Sequence, residues 1–453
     1  MPTPLRKERR KPNCSRSCKP HVIGCERMKT GTRQAWIRHG QEMRRPLLVN
    51  ASLADEGHVV IVGAGLSGLT AAYRLRQVAP DVRVTVLERA PHAGGVLRTW
   101  REDGWIGDVA VNASRPHPAV WRLIDDLGLM DAWRPSNGEA KHRWIVHAGR
   151  RHRLGAGTLL KARPWRLLRG MRAARQGGRS MAEALPVPWL ADAMTHGIVN
   201  APATDVDADV LMPTMARYGP APPMGRRALA RAVRATYPGW TPKRGQLASL
   251  DGGMEVLIEA LVTALDADDG VELCFNVDLA TPEAAAAHAG VGLRSVLWAA
   301  PREHDAAGPQ LTVVAVGYLQ ADVAEVPVGY GTLFPDARSP ISGILHESDV
   351  HAGSRAPEGH RLFRLMVPHA RWNGEEASIR AALRDALSTA EPRLFRVLGT
   401  QRVPALRPGH MQRVAEHAGP WSWIGWNATG VAITHVVSEA ERLADLMRQK
   451  HAQ

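Results

Sequence analysis

The chain has 453 residues, a formal net charge of +14 and only 4 cysteines. That length holds a large core and two or three domains, and the apolar content is that of an ordinary soluble enzyme. No run approaches the roughly twenty apolar residues of a bilayer span, no leading apolar core marks a signal peptide, and nothing suggests a disulfide framework, so a cytoplasmic protein is expected.

Residues 1–57 hold 13 Lys/Arg and 5 Asp/Glu, a surplus of +8, and the rest of the chain carries +6. The run Arg6-Lys7-Glu8-Arg9-Arg10-Lys11 and the pair Arg44-Arg45 show no steady periodicity. This segment reads as a disordered, solvated basic extension, with Met43 a natural alternative start. No nucleic-acid partner is expected of it. Cys14, Cys18 and Cys25 lie here with His21, at spacings that match no common zinc or iron–sulfur pattern, so no metal is expected. Cys274 reads as a core residue.

The folded pattern starts at His58. Val59-Val-Ile-Val62 is a buried parallel strand, followed by Gly63-Ala64-Gly65-Leu66-Ser67-Gly68 and a helix to Arg76. Gly63 permits a tight turn, Gly65 lets the backbone approach a pyrophosphate, and Gly68 lets helix and strand pack closely. The helix aims its N-terminal N–H groups at the phosphates. A second strand, Val82 to Leu87, delivers Glu88, whose carboxylate accepts from a ribose diol. Then come Arg89, Gly94-Gly95-Val96 and Arg98. This second glycine pair followed by Arg resembles the extended fingerprint of FAD enzymes of the amine-oxidase and protoporphyrinogen-oxidase superfamily. Paired glycines allow close approach to a cofactor, and Arg98 offers a planar fork of donors to a diphosphate.

Further on, Val120, Ile124, Leu127 and Leu129 recur at near-helical spacing. From Leu159 to about Ala235 the pattern is mostly helical, broken by prolines. Within it Lys161, Arg163, Arg166, Arg169, Arg172 and Arg175 interleave with Trp165, Leu168 and Met171. Such a basic amphipathic segment suits an anionic membrane surface, an anionic substrate or simple solvation. At 247–265 a turn and amphipathic helix return, followed by a strand from Val271 to Asp278, with Val277 placed at the cofactor, and a strand ending at Pro301. Stretches 311–320 and 361–368 read as strands of a separate sheet, 375–390 as a helix, and the chain closes with a helix to about Lys450. The expected fold is α/β: a discontinuous FAD-binding Rossmann-like domain (58–117, 240–305 and 405–453), a helical insertion (118–239) and a mixed-sheet substrate domain (306–404).

Several segments together resemble the oxygen-dependent protoporphyrinogen/coproporphyrinogen oxidase family over roughly residues 58–447. They are Asp251-Gly-Gly-Met254, Val328-Gly-Tyr-Gly331-Thr-Leu-Phe-Pro335, Arg355-Ala-Pro-Glu-Gly359, Pro404-Ala-Leu-Arg-Pro-Gly409-His410 and Asn427-Ala-Thr-Gly430-Val431-Ala-Ile433. The resemblance implies bound FAD, dioxygen as acceptor and a flat tetrapyrrole substrate. It implies three two-electron oxidations of a porphyrinogen to the porphyrin of haem biosynthesis, with hydrogen peroxide released. It places Asn427, Gly430 and Val431 in the flavin loop, with Gly430 and Val431 at the flavin N1/O2 edge. No acid–base dyad is expected, since the flavin does the redox chemistry, and His410 reads as structural.

The chain departs from the family after Asp108. Val109-Ala110-Val111-Asn112-Ala-Ser-Arg115 has Ala110 for the glycine beside the flavin and Asn112 where some relatives hold a propionate-binding Arg. Arg115 either replaces it as a carboxylate clamp or caps the helix that follows Pro118. Two alternatives to the porphyrinogen oxidase are a flavin amine or amino-acid oxidase and a catalytically decayed FAD-binding relative. The first usually carries Gly-Glu in the C-terminal loop, where this chain has Gly425-Trp426.

Overall fold

The computed structural model describes residues 45–115, 117–155, 164–211, 247–301 and 308–451. Two sheets organise them. The first is five-stranded and parallel, in the spatial order Ser422–Trp423, Val296–Trp298, His58–Val62 (β1), Arg83–Leu87 (β2) and Val271–Cys274. The helix Leu66–Val78 (α1) links β1 to β2. Apolar runs rather than alternation suit strands covered on both faces. Val59 and Ile61 pack towards Leu69 of α1, Leu257 of the helix Val256–Asp266 and Val437 of the helix Ile433–His451. Val60 and Val62 pack the other way, with Trp298 and with Ala285 of the helix Pro282–Ala289. The sheet is thus a Rossmann-like unit assembled from three distant stretches of chain.

The second sheet is mixed and seven-stranded. Its order is Leu394–Arg402, Gln310–Leu319, His360–Pro368, Gly343–Leu345, Gly331–Leu333, Arg143–His147 and Arg150–Arg153. Every neighbouring pair is antiparallel except Gly331–Leu333 with Arg143–His147. Val314, Val316, Phe363 and Leu365 bury one face against Ile379 and Leu383 of the helix Glu376–Ala386. A helical cluster around Met181, Leu190 and Val199 adjoins it. Among the described residues no helix is long and apolar enough to cross a membrane.

Three expectations need correction. Residues 45–57 are not part of a solvated extension. Leu48 bridges Trp423, Asn50 N–H donates to Ser422 Oγ at 3.0 Å, and Leu53 is fully buried in a 3₁₀ turn Ala51–Asp55 capped by Asn50. Ser422–Trp423 is the edge of the parallel sheet, and an uncovered edge leaves backbone donors and acceptors unpaired. Residues 1–44, with Cys14, Cys18, Cys25 and His21, lie outside the described residues, as do Lys161 and Arg163. The stretch 118–239 is also not wholly a helical insertion. Arg143–His147 and Arg150–Arg153 belong to the mixed sheet, and Trp133–Pro135 pairs with Ala248–Leu250. Finally, the strand from Val271 stops at Cys274, because Asn276 turns the chain at φ +60°.

Candidate active site

The glycine turn after β1 is held open by specific close approaches. Gly63 has φ +105°, a conformation that side chains rarely adopt. A Cβ on Gly68 would lie 1.9 Å from the carbonyl oxygen of Gly63, so only glycine lets α1 sit this close to β1. Gly65 is the opposite case: it is the N-cap of α1, no side chain caps the helix, and a Cβ there would meet no atom within 4 Å. The first turn of α1 therefore presents backbone N–H groups and the positive end of its dipole to open space. This cradle fits a pyrophosphate.

Glu88 follows β2 and is half-buried. Its Oε2 accepts the Ala64 N–H at 2.7 Å and its Oε1 accepts the Ala90 N–H at 2.8 Å. Ala64 thus spends its amide on Glu88 rather than on a ligand. Each carboxylate oxygen keeps capacity for a second bond, which suits a ribose diol. Gly94 pairs with Gly65 as a parallel bridge, its N–H donating to Ala64 O at 2.8 Å, and a Cβ on Gly95 would lie 3.4 Å from Gly65 Cα. Val277 donates its N–H to Glu88 O at 2.9 Å, beyond the strand but beside the acid. Val96 packs on the nucleotide core, Leu66 is buried and Ser67 partly so. Arg89 and Arg98 are exposed, and Arg98 Nη1 lies 3.4 Å from His92 Nε2.

The C-terminal loop closes on the same place. A Cβ on Gly425 would approach Ser67 Oγ at 3.2 Å, and the Gly425 N–H donates to buried Glu439 at 2.8 Å. Asn427 is buried, and its carbonyl accepts from His410 Nε2 at 2.7 Å, giving His410 the structural role read from the sequence. Gly430 has φ +116°, and a Cβ there would fall 2.6 Å from His435 Nδ1 and 2.9 Å from Arg45 Nη1. Val431 is partly buried against the helical cluster. The structure thus gathers the glycine turn, Glu88, Gly94, Gly95, Val277 and Gly425 around the N-terminus of α1, while Gly430 stands against His435 and Arg45.

The 108–115 loop is fixed by a buried ionic network. Arg364 donates through Nη1 to the carbonyls of Asp108 and of Ala110, the latter at 2.8 Å, and its Nε lies 2.7 Å from Glu347 Oε1. Arg355 meets Asp108 Oδ2 at 3.0 Å, and His351 Nε2 meets Glu347 Oε2 at 2.8 Å. Burial would raise the Glu347 carboxyl, but Arg364, His351 and Arg355 outweigh it and hold it well below the usual carboxylate range. Asp108, Glu347 and His351 lie close enough to share a cation, yet Arg355 and Arg364 already meet both carboxylates. Val111 packs on the nucleotide core.

Asn112 is buried, with Nδ2 3.5 Å from Glu347 Oε1, so its polar end turns into this network. Arg115 is exposed on the same loop. It is not the cap of the next helix: His117 Nδ1 accepts the Ala119 N–H at 3.2 Å and fills that role. Sequence reasoning missed Glu347 and Arg364. The only available signal was a basic residue inside the apolar run Leu362-Phe-Arg364-Leu-Met366.

Comparison with known proteins agrees with this geometry. The family model described as an NAD(P)-binding Rossmann-like domain matches residues 61–127. Over 86% of this chain and 91% of the relative, the chain is 27% identical to coproporphyrinogen III oxidase of Propionibacterium freudenreichii subsp. freudenreichii. A crystal structure from Exiguobacterium sp. 255-15, provisionally named protoporphyrinogen oxidase, superposes with a TM-score of 0.62 at 18% identity, covering 87% of this chain and 99% of that one. Putrescine oxidase bound to putrescine superposes with a TM-score of 0.55 at 16% identity, covering 87% and 99%. At these identities the two structural likenesses are likenesses of fold.

Proposed function

We propose that this FAD-dependent oxidoreductase, similar over most of its length to coproporphyrinogen III oxidases, oxidises a porphyrinogen to the porphyrin. The overall change removes six electrons and six hydrogens from the macrocycle and reduces three dioxygen molecules to hydrogen peroxide. The observation that carries the reading is the similarity to a coproporphyrinogen III oxidase over 86% of this chain and 91% of the relative. The order of the five shorter segments along the chain supports it, and Trp426 after Gly425 speaks against the amine-oxidase alternative.

Bound FAD supplies the electron acceptor that passes electrons to dioxygen. The chain's own residues do the rest. The first turn of α1 binds the pyrophosphate and Glu88 the adenosine ribose. Val431 would offer its backbone N–H to the N1/O2 edge of the flavin, where negative charge grows on reduction, while the Gly430 N–H is taken by the Trp426 carbonyl at 3.0 Å. Arg364 fixes the Asp108 and Ala110 carbonyls, so Ala110 and Val111 form a rigid wall on the substrate side. Arg115, outside that wall, takes a propionate. The reaction belongs to haem formation in the cytoplasm.

The test is turnover of the purified protein with coproporphyrinogen III, protoporphyrinogen IX and a panel of amines. Porphyrin fluorescence and peroxide are both followed. Fluorescence growing with peroxide from a porphyrinogen is the expected result. Peroxide from an amine alone would transfer the chain to the amine oxidases, and neither signal at full flavin loading would mark a decayed relative.

A further inference from the structure

We propose that Arg45 tunes the cofactor: its buried guanidinium, seated against Gly430 beside His435, raises the reduction potential of bound FAD. The inference rests on the reading of 427–431 as the flavin loop. Arg45 is only 2% exposed, although it stands in irregular chain ahead of β1. Its Nη2 donates to Val210 O at 3.0 Å and lies 3.3 Å from His435 Nε2. A Cβ on Gly430 would fall 2.9 Å from Arg45 Nη1 and 2.6 Å from His435 Nδ1, so guanidinium and imidazole both press on the loop where it turns. His435 belongs to the first turn of the helix Ile433–His451, which starts directly after this loop and adds the positive end of its dipole.

Burying a cation is expensive, and anchoring the segment does not require it. Leu48 bridges Trp423, Asn50 donates to Ser422 and Leu53 is fully buried, so residues 45–57 are fastened to the body by these contacts already. The Val210 carbonyl and the His435 ring occupy donors of Arg45 without bringing negative charge. A negative charge that appears during turnover gives the cation a use.

Two electrons and one proton leave a bound flavin with one negative charge, at the N1/O2 edge that Val431 faces in the proposed arrangement. Arg45 keeps its charge at every working pH, and inside the protein its field is far less screened than in water. It acts through the loop and its field, as a positioning residue, and favours the reduced over the oxidised cofactor. A nearby opposite charge favours the ionised form of a group roughly tenfold or more.

The test is anaerobic reductive titration of the full-length, flavin-loaded protein against a redox dye of known potential. Arg45→Gln should weaken the preference for reduced flavin roughly tenfold, which lowers the two-electron potential by about 30 mV. Arg45→Lys keeps the charge and should restore most of the difference. Arg83→Gln, which removes an exposed charge from β2, should leave the potential unchanged. His435→Asp sets a carboxylate beside Arg45 while leaving Arg45 in place; it should also lower the potential, and it carries the test where Arg45→Gln does not fold. A wild-type potential in flavin-loaded Arg45→Gln, or in His435→Asp where that variant replaces it, would overturn the inference alone. A lower melting temperature at unchanged potential would make Arg45 a structural clasp and overturn it likewise. So would an equal fall in Arg83→Gln, which would make the effect one of net charge. A wild-type protein that takes up no FAD would overturn the flavin-loop reading and this inference with it.

Discussion

Glu88 Oε2 accepts the backbone N–H of Ala64 at 2.7 Å, so the acid that ends β2 also braces the first glycine turn. Its replacement should therefore be felt twice. On the proposed assignment, Glu88→Ala removes a charge-assisted ligand to the ribose and also frees the turn. A hydrogen bond to a charged group is worth about 1.5–3 kcal/mol, so FAD should bind roughly tenfold to a hundredfold more weakly. Titration of the deflavinated variant with FAD, followed by flavin fluorescence, measures this. Unchanged affinity would remove Glu88 from the cofactor site.

The two ends of the turn predict opposite failures. Gly65→Val places methyl groups in open space at φ −77°, so the apoprotein should fold and melt normally while failing to retain FAD. Gly68→Val drives a side chain into Gly63 O and should fail to fold. Circular dichroism and flavin absorbance of both proteins, side by side, decide this. A yellow Gly65→Val protein would place the pyrophosphate elsewhere.

A chain begun at Met43 and one begun at His58 should differ in stability. The shorter one loses fully buried Leu53 and nearly buried Leu48. Burial of one such side chain is worth about 1.5–3 kcal/mol, so its melting temperature should fall well below that of the longer chain. Equal melting curves would show that residues 45–57 contribute nothing.

Arg115→Ala tests the carboxylate clamp. Loss of one charge-assisted contact should lower kcat/KM for a porphyrinogen roughly tenfold to a hundredfold at constant flavin loading. His117 caps the following helix, so that cap survives the substitution. Turnover per bound flavin equal to wild type would end the assignment of Arg115 to the substrate.

Asp207 gives a pH dependence. Burial, then the neighbouring Asp209, pushes its carboxyl up to about 6, whereas an unfolded Asp titrates near the ordinary value of about 3.9. Between those values the native state holds the proton and the unfolded chain does not. The contribution is fully present below about pH 4 and is lost as pH rises through about 6. Two units correspond to about 3 kcal/mol. Urea midpoints measured from pH 4 to 7 should fall with rising pH for the wild type relative to Asp207→Asn. The variant starts lower, since its amide has one oxygen for the two N–H groups of Asp209 and Met411. Parallel curves would refute the raised titration.

The nucleotide-binding elements were legible because their signals are local. Apolar run, glycines, helix period and acid all lie between His58 and Glu88, and each constrains the next. Residues 45–57 were not legible because Leu48 and Leu53 are too few to make a period, and their partners stand in the C-terminal strand and helix. Arg143–His147 and Arg150–Arg153 escaped for a related reason. Their Arg side chains face water at a sheet edge, so they resemble a basic loop until Gly331–Leu333 is seen beside them. Asn112 was placed at the substrate by position along the chain. Its amide nitrogen lies 3.5 Å from Glu347 Oε1, a neighbour that only the folded chain brings near.

Because Ser422–Trp423 flanks Val296–Trp298 and Leu48 clips onto Trp423, the nucleotide-binding half is stitched together by segments far apart along the chain. A ribosome delivers Leu48 long before Trp423. The parallel sheet therefore waits, with an open edge, until Trp423 has emerged, and its closure is a slow, non-local event. Until then the nascent chain carries the unpaired edge on which chaperones act.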